Sequence, residues 1–183
     1  PGQPLVAPGQ NTLAAALAAA SDLDESYLYV QGPPGAGKTY TGSRMIVNLI
    51  KQGKRVGIMS NSHKAINNLL EGVMKVREAE GLTFTAIKKC NAGKAESECD
   101  APGVENKADN DEVETSDAPL LAGTAWLFSR GAFDQELDYL FVDEAGQVAL
   151  ANLLAAGTCA RNLVLLGDQM QLSQPVQGVH PGR

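Results

Sequence analysis

At 183 residues the chain suits one domain with a sizeable core, and its ordinary apolar, glycine and proline content excludes a fibrous or wholly disordered protein. Its longest uninterrupted apolar run, residues 13–20, is too short to span a bilayer, and no basic segment precedes it, which argues against a membrane protein or a secretory leader. The net charge of −6 looks wrong for a nucleic-acid binder, but residues 96–117 hold nine acidic residues and one lysine, and the remainder carries 12 acidic against 14 basic residues, so charge decides nothing.

Residues 1–10 are rich in Pro, Gly and Gln and read as an ill-ordered lead-in. Asn11 is a candidate cap for an alanine-rich helix to about residue 20, followed by an acidic turn. Residues 27–31 read as the first strand. Next comes Gly32-Pro33-Pro34-Gly35-Ala36-Gly37-Lys38-Thr39, which fits G-x-x-x-x-G-K-[ST] at every fixed position. A helix follows to about residue 52, with Met45, Ile46, Leu49 and Ile50 on one face and Gly53 as its stop.

Residues 55–59 form a second strand, and 60–64 a polar loop at its end. A second amphipathic helix places Ala65, Ile66, Leu69, Leu70, Val73 and Met74 inward. Residues 82–88 alternate as a third strand. Residues 93–118 are acidic and poor in apolar side chains, which favours a solvated surface insertion. Strands follow at 120–123, 137–142 and 162–166, with a helix over 148–160. Three cysteines without C-x-x-C spacing, far in sequence from the two histidines, indicate reduced thiols in a cytoplasmic protein and no zinc site.

Apolar strands alternating with helices predict an α/β fold of the P-loop type, a parallel sheet with helices on both faces. Ligands of such sheets sit beyond the C-terminal strand ends, where each polar motif here falls. Glycines let the loop at 32–39 turn its N–H groups onto a phosphate, and the helix dipole adds to them. Lys38 is placed to reach the β/γ-phosphates and the Thr39 hydroxyl to ligate Mg²⁺; Tyr40 counts among the nucleotide-binding residues. About a hundred residues on, Leu140-Phe-Val-Asp143-Glu144 ends a strand in adjacent carboxylates. Asp143 suits the metal, and Glu144 suits a general base for water. Gln171, at the end of the last strand, is a γ-phosphate sensor or an ordinary loop amide.

These residues carry a resemblance. Residues 32–39, Ser60-Asn61-Ser62-His63-Lys64-Ala65, Gly123-Thr124-Ala125, Asp143-Glu144-Ala145-Gly146-Gln147 and 167–175 stand in the order of helicase motifs I, Ia, Ic, II and III. Over residues 27–178 the chain resembles the first RecA-like domain of a superfamily 1 helicase, in the branch of the nonsense-decay and nuclease–helicase enzymes. Among these it is most similar to prokaryotic fusions with a RecB-like nuclease. The resemblance implies ATP and Mg²⁺ as cofactors, and catalytic roles for Lys38, Glu144 and Gln171. It implies single-stranded DNA or RNA contacts by Ser60, Asn61 and Thr124, though a capped turn explains Ser60 and Asn61 equally well. It also implies a second RecA-like domain and a linked nuclease domain as partners.

Other features read more plainly. His63 reads as a solvated loop residue. Trp126 and Phe128 read as core residues, with a base-stacking face as the other reading. No glutamine motif for adenine stands clearly upstream, Gln10 being a candidate, and motifs IV to VI are absent. With no methionine at its start and an end just after motif III, the chain reads as a piece of a longer protein, with residues 179–183 a truncated tail and hydrolysis in isolation slow. A RecA-like ATPase remodelling a protein partner and a nucleotide-sensing module are the competing readings.

Overall fold

The computed structural model describes residue 6 and residues 9–168. Asn11 caps α1 (Thr12–Ser21) by accepting the Ala14 N–H through its side-chain oxygen. Then come β1 (Tyr27–Gln31), α2 (Lys38–Lys51), β2 (Val56–Met59), α3 (His63–Ala79), β3 (Ala86–Lys89), β4 (Val104–Lys107), α4 (Asn110–Glu114), β5 (Leu120–Gly123), α5 (Ala125–Phe128), β6 (Leu137–Val142), α6 (Leu150–Gly157) and β7 (Ala160–Gly167).

The seven strands make one sheet in the order β1-β7-β6-β2-β5-β3-β4, with every pair parallel. A parallel sheet needs both faces covered, and alternate strand residues supply two apolar layers. Ile58, Leu120 and Phe141 join Met45 and Ile46 of α2 and Leu69 of α3 in one layer. Met59, Leu121 and Val142 join Leu127 and Phe128 of α5 and Ala156 of α6 in the other. The result is a three-layer α/β/α domain. α1 belongs to the first layer through buried Ala20, and its Ser21 hydroxyl accepts the side-chain amide of Asn48. Where α2 crosses β7, a Cβ on Gly42 would lie 2.7 Å from Leu166 Cδ1, so the bare glycine permits the close approach of helix to sheet.

The register aligns the strand ends. Gln31 pairs with Gly167, Val142 with Leu165, Met59 with both Val142 and Gly123, and Lys88 with Ala122. Whatever follows these strands therefore emerges on one rim.

Four expectations need correction. The acidic stretch 93–118 is folded: it contains a 3₁₀ turn at Ala95–Ser97, the edge strand β4 paired with β3, and α4. Buried Ser97, Cys99 and Val113 anchor it, and the Asn106 side chain bonds both the N–H and the carbonyl of Cys99. Three anchors and a bidentate amide suffice where composition suggested none. The third strand runs over Ala86–Lys89, later than expected. The helix expected over 148–160 is shorter, because a 3₁₀ turn at Ala145–Gln147 precedes it and Ala160 already belongs to β7. Trp126, read as core, is 85% exposed, whereas Phe128 is fully buried as expected.

All three cysteines are free and buried. Among the described residues no helix is long and apolar enough to cross a membrane.

Candidate functional site

The loop between β1 and α2 is tied to the sheet by the Gly32 N–H, which donates to the Gly167 carbonyl at 3.1 Å. Gly35 and Gly37 take φ of +80° and +83°, a region in which side-chain-bearing residues are strained. Gly37 leads directly into α2, and no side chain caps the helix, so its first N–H groups remain available as anion donors. The Lys38 ammonium donates to the carbonyls of Gly32 at 2.6 Å and Pro33 at 3.0 Å, which holds its charge at the loop mouth. Thr39 and Tyr40 are exposed beside it, and the Arg44 guanidinium stacks 3.4 Å from the Tyr40 ring centre.

Asp143 closes β6 and is buried. Burial pushes its carboxyl above the usual carboxylate range and the neighbouring Glu144 charge adds to the shift, against the Glu144 N–H, 2.9 Å from Oδ1, and Lys38, which favour the ionised form. Glu144 sits in the left-handed region at φ 53°, costing ~1 kcal/mol or more, and leads into the turn at Ala145–Gln147.

A magnesium ion suits this donor set. Mg²⁺ takes hard oxygen ligands, typically one or two carboxylates together with substrate phosphates and water. The Thr39 hydroxyl and the Asp143 carboxylate are such donors, and a cation would relieve the cost of ionising a buried acid. Gln171 lies outside the described residues.

Farther along the same rim, past the ends of β2, β5 and β3, lies a groove of about 530 Å³. Asn61, His63, Lys89, Asn91, Thr124, Trp126, Arg130 and Asn152 line it, giving two fixed cations, several amides and no carboxylate. Asn61 is exposed there and donates to the Gln147 carbonyl at 2.8 Å. Thr124 is half-buried at the start of α5 and makes no capping bond with its side chain. Ser60 is fully buried, and its hydroxyl has no partner among the described residues. As arranged, the Ser60 side chain does not reach the groove surface, so of the three residues expected to touch a strand the groove brings together Asn61 and Thr124.

His63 is not a free loop residue: it opens α3 and meets the fully buried Lys88. Lys88 Nζ contacts the carbonyls of Lys89 at 2.8 Å and Ser97 at 3.1 Å, and His63 Nδ1 at 2.9 Å. An ammonium only donates, so Nδ1 accepts and the ring proton sits on Nε2; the Asn91 side-chain amide, 3.3 Å from Nε2, pairs with that proton only when turned to present its oxygen. Burial, then Lys88, lowers the His63 pKa, while burial lowers that of Lys88 to about 8.

Sequence reasoning missed Lys89, Asn91, Arg130 and Asn152. Lys89 and Asn91 had a signal, since they lie at and just past the end of a parallel strand. Arg130, just past α5, and Asn152 of α6 carried none.

A second cavity, of about 720 Å³, lies between α3 and the segment after β3. Glu71, Glu78, Glu98 and Asp100 line it against Lys75 and Arg77, an acidic balance that disfavours a polyphosphate.

Comparison with known proteins agrees with this geometry. The chain is 28% identical over 163 residues to the DNA replication ATP-dependent helicase/nuclease DNA2 of Gallus gallus, an alignment covering 85% of this chain and 16% of that protein. It is 28% identical to the DNA replication ATP-dependent helicase/nuclease JHS1 of Arabidopsis thaliana, covering 84% of this chain and 11% of that one. The chain thus spans less than a fifth of the length of these curated relatives. In fold it matches the UvsW helicase of bacteriophage T4, with TM-score 0.57 and 13% identity over 86% of this chain and 52% of that one. It also matches an arterivirus nonstructural protein 10 helicase in complex with DNA, with TM-score 0.52 and 17% identity over 91% and 34%. The family described as "AAA domain" matches residues 5–180, nearly the whole chain, and the chain belongs to that family.

Proposed function

We propose that residues 27–178 form the nucleotide-binding motor domain of a superfamily 1 helicase, which couples Mg-ATP hydrolysis to movement along single-stranded DNA. One observation carries this reading. The carboxylate turn after β6 and the groove loop after β2 share a hydrogen bond, from Asn61 to the Gln147 carbonyl. A change at the γ-phosphate side then has a direct mechanical route to a bound strand.

In this reading the N–H groups of the loop and of α2 hold the phosphates, and Lys38 exchanges its two carbonyl partners for phosphate oxygens. Thr39 and Asp143 would hold Mg²⁺, which supplies charge neutralisation across the phosphates. Glu144 accepts the proton of the attacking water, and Gln171 contacts the γ-phosphate. Asn61 and Thr124 bind the strand backbone, with Lys89 and Arg130 supplying phosphate contacts. DNA is favoured over RNA because the relatives are named as DNA replication enzymes. Their greater length also supports a second RecA-like domain and a linked nuclease domain in the whole protein, and an arginine finger from elsewhere would add roughly 10³–10⁵ in rate.

The test is steady-state ATP hydrolysis by the full-length parent, with and without single-stranded DNA or RNA, with Glu144→Gln as the blank. Stimulation by one nucleic acid, lost in the variant, supports the motor. Hydrolysis indifferent to both overturns it in favour of a protein-remodelling ATPase, and no hydrolysis above the blank favours a nucleotide sensor.

A further inference from the structure

We infer that Trp126 is a stacking platform for an unstacked nucleobase, a subsite within the groove that rests on the nucleic-acid reading above. In the short helix α5, Leu127 and Phe128 are 2% and 0% exposed, whereas Trp126 between Ala125 and Leu127 is 85% exposed. Two buried neighbours pin the helix while the indole stands on the rim. A large aromatic surface left in water has a cost that packing did not remove, although the adjacent layer is apolar.

The surroundings select the occupant. Lys89 and Arg130 share the groove with Trp126, and no carboxylate does. Arg130 already has Glu114 and Asp111 of α4 beside it, but among the described residues Lys89 donates only to the Cys90 carbonyl, so a protein surface covering the indole would have to bring an anion to Lys89. A single strand brings both needed features together: phosphates for the cations and flat π-faces for the ring. A groove of about 530 Å³ falls within the usual range for ligand pockets, with room for a nucleotide unit. Stacking reads a face that every base possesses, so base preference at this position is weak.

Trp126 is the chain's one tryptophan, so its intrinsic fluorescence reports on this position alone. The experiment titrates the 183-residue chain at low salt with a fluorescein-labelled oligothymidylate and with an abasic oligonucleotide of equal length. Binding is followed by anisotropy, and stacking by quenching of tryptophan emission with the unlabelled oligonucleotides. The expected result is quenching by the base-bearing strand only. Binding of that strand should weaken between about 5- and 150-fold on removing the bases or in Trp126→Ala, and be largely kept in Trp126→Phe. The exposed ring should leave the thermal midpoint of Trp126→Ala unchanged, which separates a lost contact from lost folding. Equal affinity for both strands without quenching would overturn the stacking role and leave the nucleic-acid reading intact. Failure of either strand to bind, while Mg-nucleotide binds, would overturn the nucleic-acid reading and the subsite together.

Discussion

The Asn61 side-chain amide donates to the Gln147 carbonyl at 2.8 Å, across 86 residues of sequence. It makes the loop after β2 and the turn after Asp143 and Glu144 one mechanical unit. Asn61→Ala should therefore uncouple the two ends of the site. Loss of one hydrogen bond worth ~1 kcal/mol predicts about a five-fold fall in the ratio of strand-stimulated to unstimulated ATP hydrolysis. Since Asn61 is exposed, thermal stability should barely change. An unchanged ratio in a folded variant would remove the coupling role of this bond.

Asp143 sets a trade of stability against function. Its carboxyl titrates above the ordinary range, mainly through burial. Between the unfolded value and the raised native value the native state binds more protons than the unfolded chain, so this contribution to stability is present at low pH and lost as pH rises through the native value. At neutral pH the ionised group is a cost. Asp143→Asn keeps the oxygen that accepts the Glu144 N–H and removes that cost. The variant should melt at a higher temperature than the wild type at pH 7, with the difference shrinking toward acid, while ATP hydrolysis falls by orders of magnitude. A lower midpoint at pH 7 would mean that Lys38 outweighs burial at this site.

The sequence made the nucleotide end of the site legible because that chemistry is local: a loop whose glycines need positive φ, and a strand ending in two acids, are contiguous patterns. Strand positions were legible for a related reason, since β1 and β6 are built on the short apolar runs 27–30 and 139–142. The groove was only half legible. Asn61 and Thr124 end strands, but Arg130 and Asn152 reach it through tertiary packing that no spacing encodes. Trp126 and Phe128 differ by two positions on a four-residue helix, and composition cannot say which faces water. The acidic segment hid a strand for the opposite reason: β4 is an edge strand whose pattern is weak, and its order comes from few anchors such as Cys99 and Val113.

Lys88 is a buried charge held for position. Its pKa falls from 10.5 to about 8, chiefly through burial. The unfolded chain binds more protons across that interval, so stability from this residue rises with pH from about 8 to 10.5 and is lost as pH falls through 8. Subtracting the unfolding free energy of Lys88→Met from that of the wild type cancels the other groups titrating there. The difference should grow by roughly 3 kcal/mol across the window. In the same variant His63 loses the partner of Nδ1 and a nearby positive charge, so its pKa should climb back toward the ordinary histidine value, as NMR titration of the ring would read. A flat difference curve would mean that Lys88 is solvated in the native state.

Arg130 connects the acidic segment to the groove. Its Nε donates to Glu114 Oε1, and Asp111 lies 3.9 Å from its Nη2, so two carboxylates from α4 partly neutralise a cation that lines the groove. A strand must compete with them for Arg130. Glu114→Gln should therefore tighten binding of a single-stranded oligonucleotide a few-fold. It should also steepen the dependence of log affinity on log salt by about 0.7, the increment for one added phosphate contact on a single strand. Arg130→Ala should weaken binding and flatten the slope by a similar amount. Such a partly exposed pair contributes little to stability, so neither change should move the melting temperature much. The salt slope is the deciding readout, because a packing change alters affinity without altering the number of ions released. An unchanged slope in both variants would show that Arg130 serves α4 and not the strand.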